Sequence, residues 1–154
     1  MKNFSWQYDE MRQTEVDYTD LSEVEAYDER MGKLRDVKQE ADDIVKLLDI
    51  GPEDTVIEFG TGTGWLACTA AQHCKRVIAV DISANMLKYA KKRSEELGIH
   101  NIDFCHGGFL TYQHSGEIVD IVITQLALHH LPDFWKQIAL KRISDMLKEG
   151  GIRY

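Results

Sequence analysis

An acidic residue and three glycines lie close together in the segment Glu58-Phe59-Gly60-Thr61-Gly62-Thr63-Gly64. This segment follows the apolar stretch Thr55 to Phe59 and precedes a stretch with helical spacing that begins at Trp65. Glycines at the carboxyl end of a strand permit a tight turn and let a ligand approach the backbone where a Cβ would clash. The pattern predicts a small-molecule site between a strand and a helix. The alternative is a turn that only connects these two elements.

The spacing of the glycines also bears on the kind of ligand. Dinucleotide sites carry the pattern G-x-G-x-x-G, which would place the third glycine where this sequence has Trp65. The spacing here is G-x-G-x-G, with Glu58 two residues before Gly60. It favours a cofactor other than a dinucleotide, so an NAD-dependent oxidoreductase is the less favoured alternative.

A second carboxylate, Asp81, directly follows the apolar stretch Arg76 to Val80. Because parallel strands end at the same edge of a sheet, we expect Asp81 beside the glycine turn. A carboxylate can accept hydrogen bonds from both hydroxyls of a ribose. Asp81 could instead help to cap the helix that starts near Ser83, and the two roles are compatible.

The elements that must position these residues alternate along the chain. Strands are predicted at Thr55 to Phe59, Arg76 to Val80, Ile102 to Cys105 and Asp120 to Thr124, and helices at Leu34 to Leu48, Trp65 to His73, Ala84 to Leu97 and Asp133 to Leu147. We expect Gly51-Pro52, Gly98 and Gly150 to end helices and Ser83 to cap one. The strands are nearly continuous apolar runs, which is typical of parallel strands covered on both faces. The order predicts a doubly wound, mainly parallel α/β sheet.

Charge and cysteine content exclude several function classes. The 154 residues contain 18 Lys plus Arg against 26 Asp plus Glu, and a net charge of -8 repels phosphate backbones, so nucleic acid is not an expected partner. Cys68, Cys74 and Cys105 form no CxxC pair, which favours reduced thiols and predicts no metal site. Apolar runs are too short to cross a bilayer, and Met1 to Glu10 lacks a signal-peptide core. We therefore expect a cytoplasmic protein that does not contact membranes.

Three segments together resemble class I methyltransferases that use S-adenosylmethionine. Glu58 to Gly64 is similar to the first motif of that family, Asp81 to Leu87 to the segment after its second strand, and Leu147 to Gly151 to the turn into its fifth strand. The resemblance covers about residues 37 to 152 and implies a Rossmann-like methyltransferase fold. It implies methyl transfer from S-adenosylmethionine to a small-molecule acceptor, with S-adenosylhomocysteine as product. A domain that binds the cofactor without efficient turnover is the alternative.

The resemblance also implies roles for individual residues. Glu58 and the backbone of Gly60 and Gly62 would hold the methionine portion, Asp81 the ribose, and Ile82 with Met86 the adenine face. The full set of cofactor-binding candidates is Glu58, Gly60, Thr61, Gly62, Gly64, Asp81, Ile82, Met86, Gly108, Phe109 and Gln125. Many relatives have an Asp that contacts the adenine amino group, whereas this sequence has Gly108 at the matching place. The backbone of Gly108 and Phe109 could substitute for that Asp, or Phe109 could be a core residue.

The sequence assigns no catalytic residue. His129 and His130 follow the fourth strand and are candidate general bases, because histidine exchanges protons near neutral pH. A structural role for this pair is the alternative. The Asn/Asp-Pro-Pro-Tyr/Phe motif of amide and DNA-base amino methylation is absent, which argues against those substrates.

The ends of the chain complete the expected organisation. Residues 1–33 are predicted to form an N-terminal helical or lid segment, and residues 34–154 the cofactor-binding domain. Tyr18 and Tyr27 could close over the ligand as a lid, or simply pack the N-terminal helices. The family's sheet has seven strands, but this chain stops at Tyr154 as the fifth begins, so the sheet is expected to lack its last strands. An uncovered edge predicts a symmetric homodimer joined near Ile152 to Tyr154.

Overall fold

The computed structural model describes residues 6–12 and 21–154. Its elements are α1 (Leu21–Leu34), α2 (Val37–Leu47), β1 (Thr55–Phe59), α3 (Trp65–Ala71), β2 (Arg76–Asp81), α4 (Ala84–Glu96), β3 (Ile102–His106), β4 (Val119–Thr124), a 3-10 turn (Leu128–His130), α5 (Asp133–Met146) and β5 (Leu147–Arg153). In the described part of the chain, no helix combines the length and apolar composition that crossing a membrane requires.

The five strands form one sheet in the order β3-β2-β1-β4-β5, and all pairs are parallel. This confirms the predicted α/β architecture. The chain progresses outward from β1 to β3 and then returns to the other side of β1 as β4. Ligands of such sheets bind at the carboxyl ends of the strands, beside the point where the direction of winding reverses.

Helices cover the two faces of the sheet because alternate side chains of the inner strands are apolar on both sides. Val56, Val77 and Ile121 pack with α2 and α3 on one face. Ile57 and Val122 pack with α5 and the loop after β3 on the other face. The edge strand β3 is only partly buried. Helices therefore cover both faces of the inner strands, as predicted, but not both faces of β3.

The helix predicted at Leu34 to Leu48 begins too early, whereas its predicted end at Leu48 is the C-cap of α2. The chain breaks between α1 and α2, and the Asp36 side chain caps α2 by accepting a hydrogen bond from the Gln39 amide at 3.1 Å. At the other end, Asp49 adopts a left-handed conformation and the Ile50 amide donates to the Val45 carbonyl. This Schellman motif stops α2 before the predicted Gly51-Pro52 is reached.

The end of α5 also differs from the prediction. The helix stops at Met146 and the chain turns directly into β5 at Leu147, so Gly150 does not end the helix. Leu147 pairs with Val119, but the next pair is Ile152 with Ile121, so residues 148–151 bulge from the sheet. Regular pairing thus begins at Ile152, near the predicted start of strand five. The predicted cap at Ser83 and stop at Gly98 are confirmed.

Candidate cofactor and active site

A cleft lies across the carboxyl ends of β1, β2 and β3 and extends to the loop after β4. The glycine turn forms its floor, and Tyr8, Glu10 and α1 form the opposite wall. The cleft therefore lies where the fold brings the predicted glycine turn and Asp81 together. Within the ranges 6–12 and 21–154, His, Cys, Asp and Glu side chains form no group of three that could hold a metal.

The three glycines of the turn have two different functions. A Cβ at Gly60 would lie 2.4 Å from the Cβ of Ala127, and a Cβ at Gly64 would lie 2.7 Å from the Cβ of Ala90. These two positions are glycine because the loop after β4 and helix α4 pack directly against the turn. Gly62 has a positive φ of 54° and no atom within 4 Å of its built Cβ. Only Gly62 leaves room above the turn in the manner expected for ligand approach.

Asp81 connects the glycine turn to the start of α4. Its buried carboxylate accepts hydrogen bonds from the Gly62 amide and the Ser83 amide, each at 2.8 Å. Burial raises the pKa of this carboxyl, while the amides of Ser83 and Gly62 and the nearby His106 oppose the rise. Asp81 therefore supports the start of α4, which the sequence analysis gave as the alternative to ribose binding. It also lines the cleft, so the two roles remain compatible.

Glu58 lies at the end of β1 and is buried. The Thr61 hydroxyl donates to its carboxylate at 2.7 Å. Burial raises the pKa of Glu58 to about 8, the Thr61 hydrogen bond opposes the rise, and the neighbouring Asp81 adds to it. Without a ligand, Glu58 therefore holds a proton at neutral pH. A positively charged group bound in the cleft would favour the carboxylate instead.

A polar network that the sequence analysis missed fixes α1 to the turn. Arg93 on α4 donates to the Asp28 carboxylate on α1 and to the Thr63 carbonyl, and the Thr63 hydroxyl donates to Asp28. The Arg93 guanidinium also lies 3.9 Å from the ring centroid of Trp65. These residues come from separate elements and share no sequence pattern, so only the folded chain brings them together.

Glu10 is a second site residue that the sequence did not reveal. Its Oε1 atom accepts hydrogen bonds from the amides of Leu110 and Thr111, each at 2.7 Å, and from the Thr111 hydroxyl at 2.8 Å. Residues 6–12 are thereby fixed to the loop that follows β3. The side chain is buried and lines the cleft.

The wall at β2 and β3 consists of apolar side chains and backbone. Ile82, Met86, Gly108 and Phe109 all border the cleft. Phe109 is also buried in the core, where its ring stacks on Phe59 at a centroid distance of 5.0 Å. Phe109 is therefore a core residue that presents part of its surface to the cleft.

The loop after β4 forms the other end of the cleft. The Gln125 side chain donates to Glu40 at 3.3 Å, so its amide is directed by α2. Leu126 is exposed, and its φ of 56° is uncommon for a non-glycine residue. Of the two candidate bases, His130 borders the cleft, whereas His129 borders a shallower pocket next to β4 and β5.

Of the two tyrosines that could form a lid, only Tyr27 lies in the described part of the chain. Tyr27 on α1 is half-buried and borders the cleft. Tyr18 lies outside the described residues. The cleft wall also contains Tyr8, which was not a sequence candidate.

Comparison with known proteins identifies the family. Residues 56–151 match the family model of the methyltransferase domain. An uncharacterized methyltransferase of Geobacillus thermodenitrificans is 34% identical over 128 residues, which are 83% of this chain and 56% of that relative. The chain therefore belongs to the methyltransferase-domain family, and the predicted class I methyltransferase fold is confirmed.

Solved structures agree with this assignment. A Methanococcus maripaludis protein assigned as an S-adenosyl-L-methionine-dependent methyltransferase superposes with a TM-score of 0.75 at 21% identity, covering 93% of this chain and 65% of that one. A Thiobacillus denitrificans methyltransferase in complex with S-adenosyl-L-homocysteine gives 0.64 at 26% identity over 75% of this chain and 46% of that one. The chain spans about half the length of the curated relatives it matches.

Proposed function

We propose that this chain binds S-adenosylmethionine in the cleft and transfers its methyl group to a small-molecule acceptor. One observation carries the proposal. Two buried carboxyl groups, Glu58 and Asp81, flank a glycine turn that has open space above Gly62. When bound, S-adenosylmethionine supplies a methyl group on a positively charged sulfur.

The residues present fit this cofactor. Glu58 favours a cationic ligand because a positive charge lowers the cost of ionising a buried carboxyl group. Asp81 offers its carboxylate oxygens to ribose hydroxyls while its amide contacts keep the turn in place. Ile82 and Met86 provide an apolar surface that excludes water from a flat base.

The acceptor is proposed to lie between α1 and the loop after β4. Tyr27, Met31 and Arg35 border this part of the cleft from the N-terminal side, and Leu126 and His130 border it from the other. Walls on both sides favour a small molecule over a macromolecule. His130 borders this cleft and would accept a proton from an acceptor that must lose one, whereas His129 borders the other pocket. Orientation of the acceptor accounts for much of the remaining rate enhancement.

Calorimetry with three ligands tests the proposal. We expect S-adenosylmethionine and S-adenosylhomocysteine to bind and NAD to give no heat. Binding of NAD without binding of the other two ligands would overturn the assignment. Formation of S-adenosylhomocysteine with candidate acceptors then distinguishes an enzyme from a domain that only binds the cofactor. Under the catalytic proposal, His130→Asn slows turnover, with His129→Asn as the matched control.

We also propose a homodimer through β5. This edge strand pairs with β4, and in the described ranges no strand pairs with its outer side. Ile152 and Tyr154 are partly exposed there, beside a shallow pocket that includes Leu128 and Leu140. Unpaired strand edges associate readily. A monomer mass in light scattering at micromolar concentration would contradict the dimer.

Three unpaired thiols support the cytoplasm as the proposed compartment.

A further inference from the structure

The carboxylate of Glu10 occupies the space in which a side chain at position 108 would lie. A Cβ built on Gly108 falls 2.6 Å from Cδ and Oε2 of Glu10 and 2.8 Å from Oε1. The φ of Gly108 is not in the left-handed region, so its conformation does not require glycine. Gly108 is glycine because a carboxylate from the N-terminal part of the chain fills that space.

The two oxygens of Glu10 have different environments. Oε1 accepts all three hydrogen bonds from Leu110 and Thr111. Oε2 has no hydrogen-bond partner among the residues that the structure describes, although the residue is only 6% exposed. The fixed Oε1 holds the carboxylate in one orientation, and the second oxygen remains available at the edge of the cleft. An acceptor oxygen that is fixed in orientation at the cleft edge is available to a donor from a ligand.

The position of Glu10 along the sheet identifies the part of the ligand it would meet. Glu58 is the penultimate residue of β1, Asp81 ends β2, and Gly108 follows β3, so the three sites lie in strand order. Neighbouring strands are about 4.8 Å apart, so the carboxyl ends of β1 and β3 are about 10 Å apart, and Glu10 lies against the loop that follows β3. A ligand with its charged group near Glu58 and its ribose near Asp81 would present its base to Glu10.

We propose that Glu10 selects adenine by accepting a hydrogen bond from its exocyclic amino group. This inference rests on the proposed function, because it assumes an adenosine-containing cofactor in the cleft. The carboxylate comes from the N-terminal segment and takes the place of a side chain on the β3 loop. Glu10 is therefore a specificity-determining residue for the cofactor.

The test compares S-adenosylhomocysteine with S-inosylhomocysteine, in which a carbonyl replaces the amino group. We expect the wild-type chain to prefer the adenosine ligand by about tenfold to a hundredfold in Kd, the scale of a hydrogen bond to a charged group. Glu10→Ala removes most of that preference. Asp9→Asn, at the exposed neighbouring carboxylate, is the matched control and retains it.

Two further variants keep the proposal falsifiable if Glu10→Ala folds poorly. In Glu10→Gln, the three donors at Oε1 keep the amide oxygen in place, so the amide nitrogen replaces Oε2 and donates. The preference should then shift towards the inosine ligand, whose carbonyl accepts. The double variant Glu10→Ala/Gly108→Asp places a carboxylate on the β3 loop in the vacated space and should recover the preference for adenosine.

The outcomes separate the two proposals. If the wild-type chain binds neither ligand, the proposed function fails. If it binds S-adenosylhomocysteine selectively, but Glu10→Ala and Glu10→Gln retain the wild-type ratio of Kd values, the role of Glu10 is refuted and the proposed function stands. Circular dichroism of each variant confirms that the measured change concerns a folded chain.

Discussion

Glu58→Gln should stabilise the ligand-free chain in a way that depends on pH. Burial raises the pKa of Glu58 from 4.5 to about 8, so between these values the folded chain keeps a proton that the unfolded chain has lost. Because the folded state then binds more protons, its stability falls as pH rises through this window. The loss is about 1.4 kcal/mol per pH unit and on the order of 3–5 kcal/mol in total.

The glutamine variant removes this ionisation but keeps an oxygen that can accept from the Thr61 hydroxyl, which donates to Glu58 at 2.7 Å. The difference in unfolding free energy between variant and wild type should therefore be small near pH 5, grow up to about pH 8 and then remain constant. Urea unfolding followed by circular dichroism at about pH 5, 7 and 9 measures this difference. Glu53→Gln, at an exposed position, controls for the loss of one carboxyl group.

Ligand affinity should change in the opposite direction. A cationic ligand stabilises the carboxylate of Glu58, so wild-type binding should tighten as pH rises towards about 8 and should release a proton. The glutamine variant should bind more weakly and with little pH dependence. A stability difference that does not vary with pH would refute the argument that buried Glu58 is protonated. Equal affinities would remove Glu58 from the ligand site.

Three other substitutions test how the cleft is held together. Asp81→Asn should weaken binding of S-adenosylhomocysteine by about 1.5–3 kcal/mol. It should also lower the melting temperature, because the carboxylate accepts hydrogen bonds from two backbone amides. An unchanged dissociation constant in calorimetry and an unchanged melting temperature would contradict both roles. Gly60→Ala should cost about 1–3 kcal/mol of stability through its clash with Ala127, and adding Ala127→Gly should recover part of it in chemical denaturation; no recovery would refute the steric cause. A double-mutant cycle with Asp28→Asn and Arg93→Gln should give a coupling of about 1–3 kcal/mol, and additive effects would show that the pair does not fix α1.

The sheet was predictable because its signals are local. Each inner strand is a short apolar run next to a turn residue, and β1 has the predicted bounds Thr55–Phe59. The glycine turn and Asp81 follow these strands directly, so parallel pairing alone brings them together. The break between α1 and α2 was missed because apolar spacing continues across Asp36, whose capping contact depends on backbone geometry that periodicity does not report.

The cleft wall formed by Tyr8, Glu10 and α1 could not be predicted, because the contacts that fix it join residues far apart in the sequence. Glu10 contacts residues about a hundred positions away, and Asp28 contacts Arg93 across 65 positions. Polar side chains on an N-terminal segment and a helix have the same pattern as a solvated surface, so nothing in the sequence distinguishes these two carboxylates from exposed ones. Gly108 departs from the family's pattern, but the reason for the glycine becomes visible only when the contact with Glu10 is known.

The predicted boundary between residues 33 and 34 leads to a final test. Deleting residues 1–33 would remove Glu10 and Asp28 together, although both lie on the cofactor cleft. The amides of Leu110 and Thr111 and the guanidinium of Arg93 would lose these carboxylate partners. Each lost hydrogen bond to a charged group costs about 1–3 kcal/mol, so the 34–154 fragment should melt at a lower temperature and bind S-adenosylhomocysteine more weakly. A fragment with the stability and affinity of the full chain would mean that the N-terminal residues only cover the site and do not form it.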